Sequence, residues 1–393
     1  MKHLAIIGGG ASGLAAGVSA AKVLRERYPG KDISIGVYEA FERVGRSILA
    51  TGNGRCNFSN ANIDVDSYKN PSFVKKVYAS LSAECSGNFD PVGAFFAQIG
   101  LIETIEPDGR KYPRTSKASS VVDVLRFAIA GGHVDVFCAC VVDKVVSAQN
   151  GDGFVLMCSD GRLIHADAVI VAVGTSGTMK HPASNMLEAF DIPFDAYRPV
   201  LGPIKTDNSF TKLLDGVRVK AKVSIDTQNT DEPVFTEEGE LLFRKYGVSG
   251  ICVFNASRYA NPGDILKIDF VPDMDKEDLK SFLVSRIGLC KANGMENVGI
   301  GDVFRGFMVH PLVETLLNKS GIDECTSVDK AWFETPPAIR LLDDIKGLPL
   351  TIKGIEADQA QVKRGGYGVS AFGIKDLSAK SVPGLYAAGE ALD

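Results

Sequence analysis

Several features on which common functional sites depend are scarce in this chain. It contains 5 histidines and 1 tryptophan among 393 residues, and none of its 8 cysteines belongs to a C-x-x-C pair. Structural zinc sites and redox dithiols usually show such spacing, so the sequence disfavours both. We expect no metal site. We also expect reduced cysteines, with Cys138 and Cys140 on one face of a strand.

Long apolar runs and clusters of positive charge are missing as well. No segment approaches about 18 uninterrupted apolar residues, and the apolar run near the N-terminus stops at glycines after a few positions. Lys and Arg total 43 against 48 Asp and Glu, a net charge of -5, and they form no basic run. This balance gives no electrostatic reason to expect nucleic acid. We predict a cytoplasmic protein with a small-molecule substrate and no membrane or nucleic-acid partner, and the oligomeric state stays open.

The N-terminal segment carries the most informative motif. The apolar run LAII is typical of a buried parallel strand, and Gly8, Gly10 and Gly13 follow it in G-x-G-x-x-G spacing before a helix rich in small residues. In such a turn the first glycine permits the tight bend, the second lets a diphosphate approach, and the third lets helix and strand pack closely. A second strand, ISIGVYEA, ends in Glu39, whose carboxylate would accept hydrogen bonds from a ribose and repel a 2′-phosphate. The motif predicts an FAD or NAD site and disfavours NADP there.

Two later segments favour FAD over NAD. The stretch DAVIVAVG (167–174) is typical of a buried strand ending in glycine, and LYAAGEALD (385–393) runs from a short apolar strand into Gly389 and Glu390. This order of motifs resembles that of glutathione-reductase-like flavoproteins, in which the late acidic residue binds the ribityl chain. Ala172 and Gly174 match the middle motif of that group, so FAD is the predicted cofactor.

The run TGNGRCNFSN (51–60) is more polar and flexible than a core segment needs to be. Together with GGGASGLAA, GRSILATGNGRCNFSN, ELLFRKYGVSG and LYAAGEALD, it resembles the BaiN-like, or aminoacetone-oxidase-like, family of FAD-dependent oxidoreductases over essentially the whole chain. The resemblance implies that this glycine-rich loop offers backbone N–H donors to the pyrophosphate and the flavin edge. Arg46 and Arg55 would then face phosphate or the flavin carbonyls. Cys56 is interpreted as a structural thiol under the cofactor, with a redox role as the alternative.

The residues predicted to contact FAD come from these motifs and from the resemblance. They are Gly8, Gly10, Ala11, Ser12, Gly13, Glu39, Arg46, Gly52, Gly54, Arg55, Cys56, Asn57, Val142, Ala172, Gly174, Gly389 and Glu390. No catalytic side chain is predicted.

The predicted fold class is α/β. Strand and turn signals in the middle of the chain indicate a barrel-like β domain, and helical periodicity after it indicates a smaller helical domain. The family resemblance implies that both are inserted into a Rossmann-like FAD-binding domain of the glutathione-reductase type. The predicted bounds are 1–200 and 348–393 for the FAD-binding domain, 201–272 for the β domain with 348–366 as candidates to complete it, and 273–345 for the helical domain.

The predicted activity is hydride transfer between a small organic substrate and FAD. Because the chain has no second G-x-G-x-x-G motif, NAD(P)H is expected to act only as a transient electron donor. Two alternatives stay open, namely an O₂-dependent oxidase of a small amine and a non-catalytic flavin-binding sensor or scaffold.

The C-terminal end departs from the pattern that the resemblance implies. Family members continue with a Gly-Gly-Tyr-Asn-rich segment and a final helix that help to hold FAD, whereas this sequence ends at Asp393. Two explanations stay open, namely a truncated chain and a tail that this sequence does not include. A protein that ended at Asp393 is expected to bind FAD with reduced affinity.

Overall fold

A computed structural model describes residues 2–82, 90–149, 151–174, 186–227, 232–360 and 362–392. The chain divides into two compact units, one made of the residues up to Tyr197 and from Arg364 onward, the other of Arg198–Lys363. The division into three domains given above remains a prediction. Within the described ranges, no helix has both the length and the apolar character needed to cross a membrane.

The secondary structure alternates between strands and helices in the N-terminal half and is richer in helices after the barrel. Up to residue 200 the strands are β1 Lys2–Ile7, β2 Ile33–Tyr38, β3 Ser59–Asn60, β4 Glu103–Ile105, β5 Arg110–Pro113, β6 Asp135–Phe137, β7 Val142–Ser147, β8 Phe154–Cys158, β9 Leu163–Ala166, β10 Ala168–Val171 and β11 Phe194–Val200. The helices of that part are α1 Ala11–Arg27, α2 Arg46–Ala50, α3 Pro71–Ser82, α4 Pro91–Gln98 and α5 Ala118–Gly131. The remaining strands are β12 Ile204–Thr206, β13 Arg218–Asp226, β14 Phe235–Arg244, β15 Gly247–Ser249, β16 Ile265–Asp269, β17 Leu348–Ile355, β18 Val362–Tyr367 and β19 Leu385–Ala387. The remaining helices are α6 Ile251–Ala256, α7 Lys276–Ala292, α8 Ile300–Phe304, α9 His310–Lys319 and α10 Pro336–Gly347.

The first unit is built on a parallel sheet with the order β19-β10-β1-β2-β6. β1 lies inside this sheet and pairs in parallel with β10 on one side and β2 on the other. Its residues Ala5 and Ile6 are fully buried, as expected of a strand covered on both faces. The strand–turn–helix arrangement predicted for the N-terminus is confirmed, and so is the Rossmann-type fold class.

Two small antiparallel sheets extend this unit. β7, β8 and β9 form one of them, and the segment GFVLMCSDGRLIHA forms the β8–β9 hairpin. In the other, β5 pairs with β3 and β4, which places Ser59 opposite Lys111. The end of the TGNGRCNFSN run is therefore fixed to a strand about 50 residues further along the chain.

The second unit contains a closed barrel with the strand order β12-β15-β14-β13-β16-β17. Along β13, buried Ala221, Val223 and Ile225 alternate with more exposed positions, the period that a barrel wall requires. The barrel-like sheet expected from the sequence is confirmed. Helices α7 to α10 follow the barrel strand β16, and Asp275 caps α7 because its Oδ1 accepts the Asp278 N–H at 2.8 Å.

The expectation that Cys138 and Cys140 share one face of a strand is wrong. Strand β6 ends at Phe137, and Ala139 adopts a left-handed backbone conformation with φ of 50°. The chain therefore turns between the two cysteines. Cys140 is buried, whereas Cys138 is exposed.

Candidate cofactor-binding site

The three glycines of the first turn occupy different environments. A Cβ on Gly13 would lie 1.8 Å from the Gly8 carbonyl oxygen, and one on Gly8 would lie 2.5 Å from the Ala172 carbonyl oxygen. Both positions therefore need glycine because strand and helix meet there. At Gly10 the nearest atom to a Cβ would be the Ser47 hydroxyl oxygen, at 3.5 Å. The backbone at Gly10 is accordingly open on one side, as close approach by a ligand requires.

The N-terminus of α1 is free of side-chain caps. Gly10 occupies the N-cap position, no side chain caps the helix, and its first turn contains no acidic residue. The N-terminal N–H groups and the positive end of the helix dipole can therefore serve an anion. The N-terminus of this 17-residue helix thus offers the hydrogen-bond donors and the positive charge that a diphosphate requires.

The carboxylate of Glu39 is held in place by the backbone. Its Oε2 accepts the Gly9 N–H at 2.6 Å and its Oε1 accepts the Phe41 N–H at 2.8 Å, while the residue is only 8% exposed. Each carboxylate oxygen keeps further acceptor capacity. A ribose hydroxyl group could donate to it without displacing the protein contacts.

The C-terminal motif lies beside this turn in space. Gly389 has φ of +68°, and a Cβ there would be 2.4 Å from the Ser12 hydroxyl oxygen in α1. A Cβ on Gly174 would lie 3.3 Å from Oε2 of Glu390, and the Tyr197 hydroxyl donates to the Glu390 carbonyl at 3.2 Å. The structure thus brings together three motifs that are far apart in the sequence.

These motifs line one cavity of about 890 Å³ in the first unit. Most of the residues predicted to contact FAD are found on its wall. They are Gly8, Gly10, Ala11, Ser12, Glu39, Arg46, Cys56, Asn57, Val142, Ala172, Gly174, Gly389 and Glu390.

Gly13, Gly52, Gly54 and Arg55 do not belong to this wall. Gly13 packs against the strand, and Gly52 adopts φ of +55° where a Cβ would meet the Asn57 nitrogen at 2.7 Å. Arg55 is engaged elsewhere: its Nη2 lies 2.6 Å from Oε1 of Glu106, and its guanidinium lies 3.9 Å from the centroid of the Tyr112 ring. A contact between Arg55 and FAD remains a prediction.

The glycine-rich loop presents a thiol and an amide to the cavity. Cys56 is buried with φ of 60°, and burial raises the pKa of its thiol, although a hydrogen bond with Thr51 acts in the opposite direction. The thiol is therefore held in its protonated, weakly nucleophilic form. The Asn57 amide is oriented by its acceptors, because its nitrogen can donate to the carbonyl oxygens of Ser59 at 2.8 Å and Lys111 at 3.1 Å.

Part of the cavity wall was not found from the sequence. It includes Phe41, whose ring lies 4.4 Å from the Arg46 guanidinium, and apolar side chains of α3 and α4. The signal that was present is the 3-residue spacing of Tyr78 with Leu81 and of Val92 with Phe95, which places each pair on one helix face. Within the described part of the chain, no group of three or more His, Cys, Asp or Glu side chains is arranged to hold a metal ion.

A parallel Rossmann-type sheet whose glycine turn, helix N-terminus and buried carboxylate meet at one cavity defines a dinucleotide-binding protein. Residues 2–393 match the family described as HI0933-like protein Rossmann domain, and the chain belongs to that family. The resemblance to the BaiN-like FAD-dependent oxidoreductases is thereby confirmed. The protein is a flavin-dependent oxidoreductase.

The names of individual relatives describe two kinds of substrate for those proteins. The chain is 29% identical to the 3-dehydro-bile acid delta(4,6)-reductase of Clostridium scindens over 411 residues, which cover 100% of this chain and 93% of that protein. It is 25% identical to the ribosomal RNA dihydrouridine synthase of Escherichia coli over 402 residues, which cover 99% of this chain and 91% of that protein. Among solved structures it is similar to the 3-ketosteroid-delta4-(5alpha)-dehydrogenase of Rhodococcus jostii RHA1, with 12% identity, a TM-score of 0.42, and coverage of 100% of this chain and 91% of that chain.

Proposed function

We propose that this protein binds FAD in the cavity of its first unit and transfers a hydride between FAD and a small organic substrate, with NAD(P)H as the electron donor. The observation that carries the proposal is the convergence of the α1 N-terminus, the Glu39 carboxylate and the Gly389–Glu390 turn on one cavity. The helix N-terminus can bind a diphosphate, and the Glu39 carboxylate can accept hydrogen bonds from a ribose. The Glu390 carboxylate is a second acceptor for hydroxyl groups, and FAD presents all three kinds of group.

Each part of FAD has residues in the cavity that suit it. The backbone at Gly10 and the α1 N-terminus suit the pyrophosphate, with the positive charge of Arg46 on the same wall. Glu39 suits the adenosine ribose, and Glu390 suits the ribityl hydroxyl groups. Val142 offers an apolar contact on the same cavity wall.

The chain's own contribution is binding and orientation. When bound, FAD supplies the hydride chemistry, and the protein supplies orientation and electrostatics. The N–H groups of Gly9 and Phe41 fix the Glu39 carboxylate, and apolar side chains form part of the cavity lining. The protonated Cys56 thiol serves as packing in this proposal and takes no part in electron transfer.

A reductase of a small molecule is favoured over an oxidase of an amine. The Clostridium scindens relative is named as a reductase, and a reductase needs an external hydride donor. Because the chain carries a single G-x-G-x-x-G motif, NAD(P)H would bind transiently. An O₂-dependent amine oxidase is the alternative that the experiment below separates.

RNA is a second candidate substrate, because two relatives are named as ribosomal RNA dihydrouridine synthases. RNA binding requires positive charge that is available to phosphates. Two basic side chains of the barrel are instead paired with carboxylates: Arg218 Nη1 lies 2.6 Å from Oε1 of Glu240, and Lys267 Nζ lies 2.5 Å from Oδ2 of Asp226. With a net charge of -5, these pairs favour a small molecule. The cytoplasmic location expected from the sequence remains a prediction.

The proposal is tested with the purified protein by absorbance and by anaerobic reduction. Bands near ~450 nm and ~370 nm, followed by bleaching on addition of NADH or NADPH, are expected for a reductase. Bleaching by aminoacetone with release of peroxide in air would instead establish the oxidase. Turnover of uridine in an RNA oligonucleotide would establish the RNA enzyme, and a colourless protein that takes up no FAD would overturn the proposal.

A further inference from the structure

The cavity has one wall that the cofactor motifs do not account for. Every residue predicted to contact FAD lies in the β1–α1 turn, at Glu39, in the 46–57 segment, or at residues 142, 172–174 and 389–390. The same cavity is also lined by Tyr78 and Leu81 of α3 and by Pro91, Val92 and Phe95 of α4. We call these five residues the α3–α4 wall.

The chemistry of the α3–α4 wall is apolar with a single hydroxyl group. Leu81, Pro91, Val92 and Phe95 offer only carbon to a ligand, and among the five residues only Tyr78 carries a polar side-chain atom. Burial raises the pKa of Tyr78 to about 12, and the neighbouring Tyr68 adds to this rise through its charge and through a hydrogen bond between the two side chains. The hydroxyl group therefore keeps its proton at neutral pH, and when Tyr68 is the donor in the bond between the two hydroxyl groups, Tyr78 can donate its own proton to a ligand.

The wall is anchored to the glycine-rich segment. Asp90 caps α4 by accepting the N–H groups of Val92 and Gly93, both at 3.0 Å. The same carboxylate accepts the Ser59 hydroxyl at 3.0 Å and lies 3.0 Å from the Lys111 ammonium. Ser59 lies only two residues after Asn57 and three after Cys56. The hydrogen bond from Ser59 to Asp90 therefore fixes the position of α4 relative to the glycine-rich segment.

We propose that the α3–α4 wall is the substrate subsite, that it takes an apolar ring compound bearing a conjugated carbonyl group, and that the Tyr78 hydroxyl donates a hydrogen bond to the carbonyl oxygen. This inference rests on the proposed reductase function. Pockets with an apolar lining and few polar groups bind such ligands, and the polar groups fix their orientation.

A protonated hydroxyl group on the wall of this cavity suits the reduction of an enone. When the β-carbon of an enone receives a hydride, the electron pair of the C=C bond shifts toward the carbonyl oxygen, which becomes an enolate oxygen. A hydrogen bond from Tyr78 stabilises that charge. A proton from solvent then reaches the α-carbon, and the saturated ketone forms with NAD(P)H as the overall reductant.

The test is a ligand titration of the FAD-loaded protein, followed through the flavin absorbance spectrum without turnover. The probes are 4-androstene-3,17-dione and uridine. The variants are Tyr78→Phe, which removes only the hydroxyl group, and Leu81→Asp, which charges the wall at a side chain that is 45% exposed and so tolerates substitution. Tyr28→Phe is the matched control, because Tyr28 is 51% exposed and lies outside the cavity.

We expect the steroid enone to shift the flavin spectrum of the wild-type protein with saturation. Loss of one hydrogen bond in Tyr78→Phe should raise Kd by about tenfold, Leu81→Asp should abolish the shift, and Tyr28→Phe should match the wild type. Flavin content should be equal in all four proteins.

Other outcomes overturn the inference in distinguishable ways. Unchanged binding in Tyr78→Phe removes the role of the hydroxyl group, and loss of flavin in either wall variant shows that the wall holds FAD rather than substrate. Saturable binding of uridine with no response to the steroid rejects the apolar substrate class. A flavin-containing wild type that binds neither probe overturns this inference alone, whereas a wild type that takes up no FAD overturns the proposed function as well.

Discussion

The ammonium nitrogen of Lys111 lies 3.0 Å from Oδ2 of Asp90, with the two side chains only 10% and 16% exposed. Lys111 also lies 3.2 Å from Oε1 of Glu103, and Asp90 caps α4. This ion pair therefore connects strand β5, the α3–α4 wall and, through Ser59, the glycine-rich segment. Removal of this ion pair should lower the stability of the fold and loosen the cavity wall together.

Replacing Lys111 with Met leaves a largely buried Asp90 carboxylate without its cation. Removal of one partner from a buried ion pair typically costs about 3 kcal/mol or more of the free energy of unfolding. We expect a loss of that size in urea denaturation. The matched control is Lys75→Met, because Lys75 and Asp66 form a pair at 2.6 Å whose side chains are 52% and 66% exposed. That pair should contribute less than about 1 kcal/mol, and equal losses in the two variants would contradict the prediction.

The same ion pair predicts how stability depends on pH. Burial acts to raise the pKa of Asp90, but hydrogen bonds from the Gly93 N–H, Lys111 and Ser59 outweigh it and hold the pKa below its ordinary value. The stabilisation by Asp90 is therefore present above about pH 4 and is lost as the pH falls through the pKa of the folded state.

For Lys111 the direction is opposite. Burial acts to lower its pKa, but the contacts with Asp90 and Glu103 outweigh it and raise the pKa, so this stabilisation is lost only as the pH rises above about 10.4. Urea denaturation between pH 5 and pH 2, chosen to bracket the ordinary Asp value of about 4, should show a weaker acid dependence in Lys111→Met than in the wild type or in Lys75→Met. Parallel curves for all three proteins would show that Asp90 is not linked to Lys111.

The parts of the site that were predictable from the sequence depend on local backbone requirements. Gly8 has φ of +107° and Gly389 has φ of +68°, and both lie against other backbone or helix atoms. Only glycine fits at such positions, so the glycine spacing of the motifs is visible in the sequence. Glu39 was predictable because it directly follows β2. The barrel was visible through the strand and turn signals in the middle of the chain.

The parts that were missed depend on how distant segments pack. The α3–α4 wall faces the cavity because Asp90 is tied to Ser59 and Lys111, and neither contact has a local sequence signal. The pairing of Arg55 with Glu106, 51 residues further along, has no local sequence signal either. The bend at Ala139 likewise cannot be recognised from an apolar run that resembles a strand.

The glycines of the first turn should respond differently to alanine. In Gly13→Ala the new methyl group would lie 1.8 Å from the Gly8 carbonyl oxygen, so strand and helix must separate at a cost of about 2 to 3 kcal/mol. In Gly10→Ala the nearest neighbour is at 3.5 Å, so stability should change by less than about 0.5 kcal/mol, while FAD affinity should fall at least about tenfold.

Thermal unfolding of the apoprotein and titration with FAD separate the two glycine effects. Gly131→Ala is the control, because a Cβ at Gly131, the last residue of α5, would meet nothing within 4 Å. It should leave both stability and FAD affinity near the wild-type values. A Gly10→Ala protein that binds FAD as tightly as the wild type would reject the close approach of the pyrophosphate at this position.

Glu39→Gln tests whether the carboxylate is fixed by the backbone before any ligand arrives. Both oxygens of Glu39 accept backbone N–H groups, from Gly9 and Phe41, whereas a glutamine has one oxygen and must turn its NH₂ group toward one of these donors. The buried unpaired donors should cost about 2 kcal/mol of the free energy of unfolding in the apoprotein, and FAD affinity should fall as well. Glu42→Gln is the control, since Glu42 is exposed three residues further along. If Glu39→Gln lowered FAD affinity while leaving the urea midpoint of the apoprotein unchanged, the carboxylate would be a ligand contact without the structural role that its two hydrogen bonds indicate.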